Sequence, residues 1–187
     1  MADYLVNELN YRDSAFNESI FNNFYNEYYE KVYNYVYFKT GERDYAEDLA
    51  CGIIEKVLNN LHRYQTSAGS LSTWIFSIAR NHLIDWYRRK DRSEEYFKEG
   101  EETRIPDRVA EGPEESVLRS EREETIRELL QHLPETEREI MLLKFWGGLK
   151  NIEIADQLGL NGNSVNVMVF RTLKKMRKII EENNIEI

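Results

Sequence analysis

The sequence predicts an all-α protein: two small helical domains joined by a flexible acidic linker, the C-terminal one a four-helix domain carrying a helix-turn-helix. Three observations support this. Apolar residues recur at three- and four-residue spacing, with no sustained strand-like alternation. An acidic stretch punctuated by Pro106, Gly112 and Pro113 interrupts that pattern between Ser93 and Glu115. A length of 187 residues exceeds a comfortable single helical core without reaching three domains. The 41% hydrophobic and 12% aromatic content is enough to bury a core in each domain.

The expected organisation is an N-terminal extension over 1–15, a first domain over 16–92, the linker over 93–115, a second domain over 116–180 and a tail over 181–187. In the first domain, Phe16, Ile20, Phe24, Tyr28, Val32 and Val36 recur every fourth position and mark one helix face, with Gly41 as its stop. Asp44 followed by Glu47 resembles a capping box and opens a second helix, whose buried stripe is Ala46, Leu49, Ile53, Val57 and Leu61. His62 to Ser70 reads as a loop. A third helix begins near Ser72, with Leu71, Ile75, Ala79, Leu83 and Trp86 on one side, and finishes in the basic run Arg88 to Arg92. In the second domain, Val117, Ile126, Leu129, Leu130 and Leu133 mark a helix halted by Pro134. Ile140 and Leu143 belong to another, halted at Gly147 and Gly148, and two more run over Ile152 to Leu158 and from about Asn163 to Ile180.

With 34 acidic against 25 basic residues the net charge is −9. This argues against indiscriminate nucleic-acid affinity, which needs clustered Lys and Arg. The single cysteine, Cys51, allows no intrachain disulfide, and no Cys/His cluster has metal-ligand spacing. No cofactor, metal or small-molecule substrate is expected. The chain lacks a Glu-x-x-His pair, a phosphate-binding Gly-rich loop and a nucleophile-base motif, so an enzyme is disfavoured. The N-terminus has no basic segment followed by an apolar run, and a cytoplasmic location is expected.

The strongest local signal spans Ile154 to Val165. A tight helix pair needs a small residue at the crossing, a glycine able to take positive φ in the turn and an apolar residue that locks the second helix down. Ala155, Gly159 and Val165 occupy those positions. Asn161 is placed to cap the second helix, whose buried stripe is Val165, Met168 or Val169, Thr172, Met176 and Ile179. The opposite face presents Asn163, Asn166, Val167, Phe170, Arg171, Lys174 and Lys178. Asn can bind adenine edges, Arg can fork onto guanine, apolar tips can meet thymine methyls and Lys can pair with phosphates. A solvated helix face is the plainer alternative, and a stand-alone repressor uses the same motif.

Taken together, the two halves resemble the extracytoplasmic-function group of bacterial RNA polymerase sigma factors. The resemblance rests on Ala46 to Leu49, Thr73 to Asn81, Leu83 to Arg89, Leu133 to Glu139 and the helix-turn-helix. It implies that Asp48, Leu49, Ile53, Glu55 and Leu58 contact polymerase core at the clamp helices of the largest subunit, and that the second domain meets the flap of the second-largest. It implies that Tyr64, Asn81, His82 and Asp85, with Arg88 and Arg89 on phosphates, handle the minus-ten promoter element. It also implies that Asn163, Asn166, Val167, Phe170, Arg171 and Lys174 face the minus-thirty-five element, and that an anti-sigma protein is a partner. The chain departs from the family at Cys51 and Gly52, usually a glutamine and an acidic residue, and at Asn166 to Met168, usually more basic. Lys150 stands where a capping Ser is common, leaving Asn151 to cap. The acidic linker is expected to imitate nucleic acid in the channel that later holds RNA.

Overall fold

The computed structural model describes residues 18–65, 67, 69–94 and 113–182. Seven α-helices and one short 3-10 turn account for the regular structure of these residues. The first domain holds α1 (Glu18–Thr40), α2 (Arg43–Asn60), the 3-10 turn Leu61–Arg63 and α3 (Leu71–Glu94). The second holds α4 (Pro113–Gln131), α5 (Glu135–Phe145), α6 (Asn151–Leu158) and α7 (Gly162–Glu182).

The four-residue periodicity of α1 has its physical origin in burial. Phe24, Tyr28, Val32 and Val36 are all at or below 2% exposure, and α1 ends as Gly41 takes φ of 77° and donates its N–H to the Tyr37 carbonyl at 2.7 Å. Phe16 lies outside the described residues, as does the side chain of Ile20. The α2 stripe of Ala46, Leu49, Ile53 and Val57 is buried with Leu61 behind it. The expected capping box is absent: the helix starts at Arg43 behind Glu42, which makes no side-chain cap bond, so Asp44 lies within the first turn. Leu71, Ile75, Ala79 and Leu83 of α3 complete the core, while Trp86 is only partly buried. Helix α3 continues through Glu94 and α4 already begins at Pro113. The expected linker is thus shortened at both ends, and its residues 95–112 lie outside the described residues.

In the second domain Leu129, Leu130, Leu133, Ile140, Leu142, Leu143, Leu149 and Ile154 form the core. The side chain of Val117 lies outside the described residues. Arg138 finishes α4 from the next helix: its guanidinium donates to the carbonyls of Leu130 (2.9 Å), Gln131 (3.2 Å) and Leu133 (3.1 Å). Leu130 and Gln131 lie in the last turn of α4, whose carbonyls lack the usual i+4 helical partner, and Leu133 lies in the turn beyond it. The helix-turn-helix closes as its residue types require. Ala155 and Val165 are fully buried, and Gly159 sits at φ of 66°, where a side chain is strained by about 1–2 kcal/mol. Asn161 Oδ1 accepts the Asn163 N–H at 2.9 Å. At the start of α6 the N-cap position falls on Lys150, and the Glu153 carboxylate accepts the Lys150 N–H at 2.7 Å. Asn151 therefore does not cap; its amide bonds to Asn166.

The two domains touch. Phe38 of α1 meets Trp146 at 4.6 Å between ring centroids, and α3 packs against α6. Basic groups of the first domain face acidic groups of the second: Lys39 pairs with Glu135 and Glu139, and Arg43 pairs with Glu123 at 3.2 Å.

Candidate nucleic-acid interface

Helix α3 has three faces, because 3.6 residues per turn place i, i+4 and i+7 on one side. Its core face is filled by Leu71, Ile75, Ala79 and Leu83. A second face, with Arg80, Ile84 and Tyr87, lines a cleft against Glu135, Glu139 and Leu158 of the second domain. The third carries Trp74, Asn81, Asp85 and Arg88, with His82 and Arg89 at its edge. Asn81, Arg88 and Arg89 are exposed, while His82 and Asp85 are half-buried. Arg88 pairs with Asp85 at 2.9 Å and Arg89 Nε donates to the Asp85 carbonyl at 3.2 Å, so both guanidiniums are held along the strip.

Tyr64 lies at the N-terminal end of the same strip. Its hydroxyl donates to the Gly69 carbonyl at 2.9 Å, which pins the loop, and its ring lies 5.6 Å from the Trp74 ring. The pair forms an aromatic wall of the kind on which a base stacks. Trp74 is half-buried: it packs against the core and also lines a groove.

The His82 ring rests over Gly52 of α2, 3.7 Å from where a Cβ there would stand. Burial pushes its pKa below the ordinary 6.5, and Lys56 and Arg89 push the same way against Asp85. The imidazole is therefore neutral at pH 7 and offers one donor and one acceptor. Because the folded pKa is the lower one, the unfolded chain takes up this proton first as pH falls below 6.5. His82 thus disfavours the folded state on the acid side, and His82→Gln should flatten stability between pH 7 and 5. An NMR titration placing the ring at or above 6.5 would contradict the assignment.

The face proposed for polymerase divides differently from expectation. Asp48 and Glu55 are exposed and Leu58 is half-buried, but Leu49 and Ile53 sit inside the core at 7% and 0% exposure. A partner cannot reach a side chain already packed against α1, so the accessible line of α2 is Asp48, Cys51, Glu55 and Asn59.

On α7, Asn163, Asn166, Val167, Phe170, Arg171 and Lys174 are all exposed, opposite buried Val165 and Thr172. Phe170 is 71% exposed, a costly position for a phenyl ring that no partner covers. Asn151 donates to the Asn166 side-chain carbonyl and orients its amide. Exposed Leu173 extends the apolar part of this surface; lying three residues after Phe170, it was legible as a face member and was missed.

The comparisons with known proteins agree with this division. The family described as Sigma-70 region 2 is matched over residues 24–93, and Sigma-70 region 4 over residues 123–176. The ECF RNA polymerase sigma factor ShbA of Streptomyces griseus is 31% identical over 142 residues, covering 75% of this chain and 74% of that protein. This chain belongs to the extracytoplasmic-function group of RNA polymerase sigma factors. The RNA polymerase sigma factor YlaC of Bacillus subtilis is 27% identical over 170 residues, 91% of this chain and 94% of that one. Among solved structures, CnrH in complex with the cytosolic domain of CnrY shares the fold at a TM-score of 0.66, with 15% identity over 97% of each chain. The sigma factor RpoE of Bartonella quintana, in complex with the anti-sigma factor NepR, shares it at 0.60, with 17% identity over 86% of this chain and 96% of that one. The sigma factor is a DNA-binding regulator of transcription initiation. Its exposed α3 strip falls in region 2, and its exposed α7 face falls in region 4.

Proposed function

We propose that this sigma factor mounts on core polymerase through the exposed line of α2, holds the minus-ten element along the α3 strip and reads the minus-thirty-five element with α7. The observation that carries this reading is the presence of two separate exposed strips, each on the helix face turned away from its own domain's core. Each combines amides, guanidiniums and apolar groups in the mix that base edges and phosphates need. Asp48 and Glu55 meet the clamp helices, and the second domain meets the flap. Promoter opening extrudes a base at a cost of a few kcal/mol, which the Tyr64–Trp74 wall offsets by stacking and Asn81 by hydrogen bonding.

Among the described residues, cations cluster on the α3 strip and on the Arg171–Lys178 face of α7, and the net charge is −9. Nonspecific DNA affinity therefore comes from polymerase, and the free chain binds promoter duplex poorly. Among the described residues no helix is long and apolar enough to cross a membrane, and the proposed site of action is the cytoplasm, where polymerase works. An anti-sigma protein is a proposed partner, of the kind that NepR is for RpoE. No catalytic role and no cofactor are proposed.

The test is run-off transcription with purified core polymerase on a genomic fragment library, followed by Asn81→Ala on a promoter so found. Loss of one hydrogen bond of about 0.5–1.5 kcal/mol should slow opening by roughly two- to tenfold, measured by permanganate reactivity of unpaired thymines. Opening at the parental rate removes Asn81 from the site. Tight binding of operator duplex by the free chain, without any binding to core, would instead favour a repressor.

A further inference from the structure

The two helices of the helix-turn-helix meet through their first turns. Gly162 opens α7 so close to α6 that a Cβ there would stand 3.3 Å from Ile152 Cδ1, and Ile154 and Val165 are both fully buried. One turn beyond Gly162, on the same side of α7, Asn166 comes within reach of Asn151, the first residue of α6. Asn151 Nδ2 donates to Asn166 Oδ1. A carboxamide carries its oxygen and its nitrogen on one planar carbon, so holding the oxygen also fixes where the amino group points. Asn166 is exposed and lies within the first two turns of α7, the part of a recognition helix that reaches base edges.

The direction of this bond has a physical cause. Asn151 Oδ1 is buried without a hydrogen-bond partner among the described residues. The opposite orientation would bury an amino group there, and orphaned N–H groups are rarer in proteins than under-satisfied carbonyls. The first turn of α6 also carries the positive end of the helix dipole, which favours an oxygen over an amino group. Asn151 therefore donates, and the Asn166 carbonyl accepts. An unrestrained asparagine reads adenine with both ends of its amide. Asn166 has its oxygen engaged on α6, and what remains for a ligand is an amino group with two N–H donors. Such a group is satisfied by bases that present acceptors, guanine at N7 and O6 or thymine at O4. Adenine and cytosine present amino groups of their own, and donors that face each other both go unpaired.

We propose that Asn151 is a positioning residue for promoter reading: it holds the Asn166 carbonyl against α6, so that Asn166 meets the minus-thirty-five element with its amino group alone and selects guanine or thymine over adenine or cytosine at one base position. This rests on the reading of α7 given above. The choice of base is thus set from α6, by a side chain that acts through Asn166.

The test uses reconstituted holoenzyme on a randomised minus-thirty-five library, with the transcribed templates sequenced for the parent, Asn166→Ala, Asn151→Asp and Asn151→Ala. Asn166→Ala locates the position, which should lose its preference. The parent should favour guanine or thymine there by about fivefold or more. Asn151→Asp reverses the bond, because a carboxylate only accepts. Asn166 then turns its amino group to α6, presents its carbonyl to the groove and should favour adenine or cytosine at the same position. An aspartate is favourable in the first turn of a helix, so this variant folds, and its added charge weakens binding on every sequence alike. Asn151→Ala frees the amide and should remove the discrimination against adenine. Parental choice in either Asn151 variant, or a parental preference for adenine or cytosine, would overturn the proposal while leaving the reading of α7 intact. No change at any position in Asn166→Ala would instead take Asn166 off the interface and the proposal with it.

Discussion

Phe76→Ala should cost the first domain about 3–5 kcal/mol, the range for deleting a fully buried phenyl ring, and should be the most damaging single truncation on α3. Phe76 is fully buried and meets the Tyr35 ring edge-on, with centroids 5.3 Å apart and planes at 87°. Such a pair contributes about 0.5–1.5 kcal/mol beyond its area. Its loss also frees the ring whose hydroxyl holds Glu139, so the change is felt at the domain seam as well as in the core. Urea unfolding followed by circular dichroism measures the cost. A loss under about 1 kcal/mol would mean that the Phe76 site collapses around the cavity or that the ring does not pack as described.

Arg171→Ala should lower transcription from promoters carrying the preferred minus-thirty-five element by about five- to 150-fold, the equivalent of the roughly 1–3 kcal/mol of a good bidentate base contact. The loss should concentrate on one base position, because the guanidinium lies on the exposed face of α7 beside Phe170. Lys174→Ala serves as the contrast: a phosphate contact weakens binding across all sequences and reduces the salt dependence by about one unit. Transcription of a randomised minus-thirty-five library by the reconstituted holoenzyme distinguishes the two. Equal losses across every sequence for Arg171→Ala would place that residue on the backbone and take away its reading role.

Much of this molecule was legible before any coordinates. The stripes of α1, α2 and α3 were visible because burial imposes the helical period on apolar residues, and Ala155, Gly159 and Val165 were visible because a tight helix pair admits few residue types at those points. Asn161 was correctly assigned as a cap for the same local reason. Asp44 was not a cap, since the motif Asp-x-x-Glu also fits one turn inside a helix whose start is decided by the Gly41 turn. Leu49 and Ile53 show the limit of carrying residues over from a family pattern: helical spacing had already put both in the core stripe, and that is where they lie. Trp74 does both: it packs against the core and lines a groove, which helical spacing alone does not distinguish.

Local chemistry in the chain determined the helices, their ends, the helix-turn-helix and the family, since propensity, period and turn geometry act over a few residues. Only the tertiary structure decided how the two halves meet. Glu139 reads in sequence as one more solvated glutamate in the run Glu135 to Glu139. Its burial against Tyr35 and Lys39, 104 and 100 residues away, depends on shape and charge matching between surfaces that no periodicity encodes.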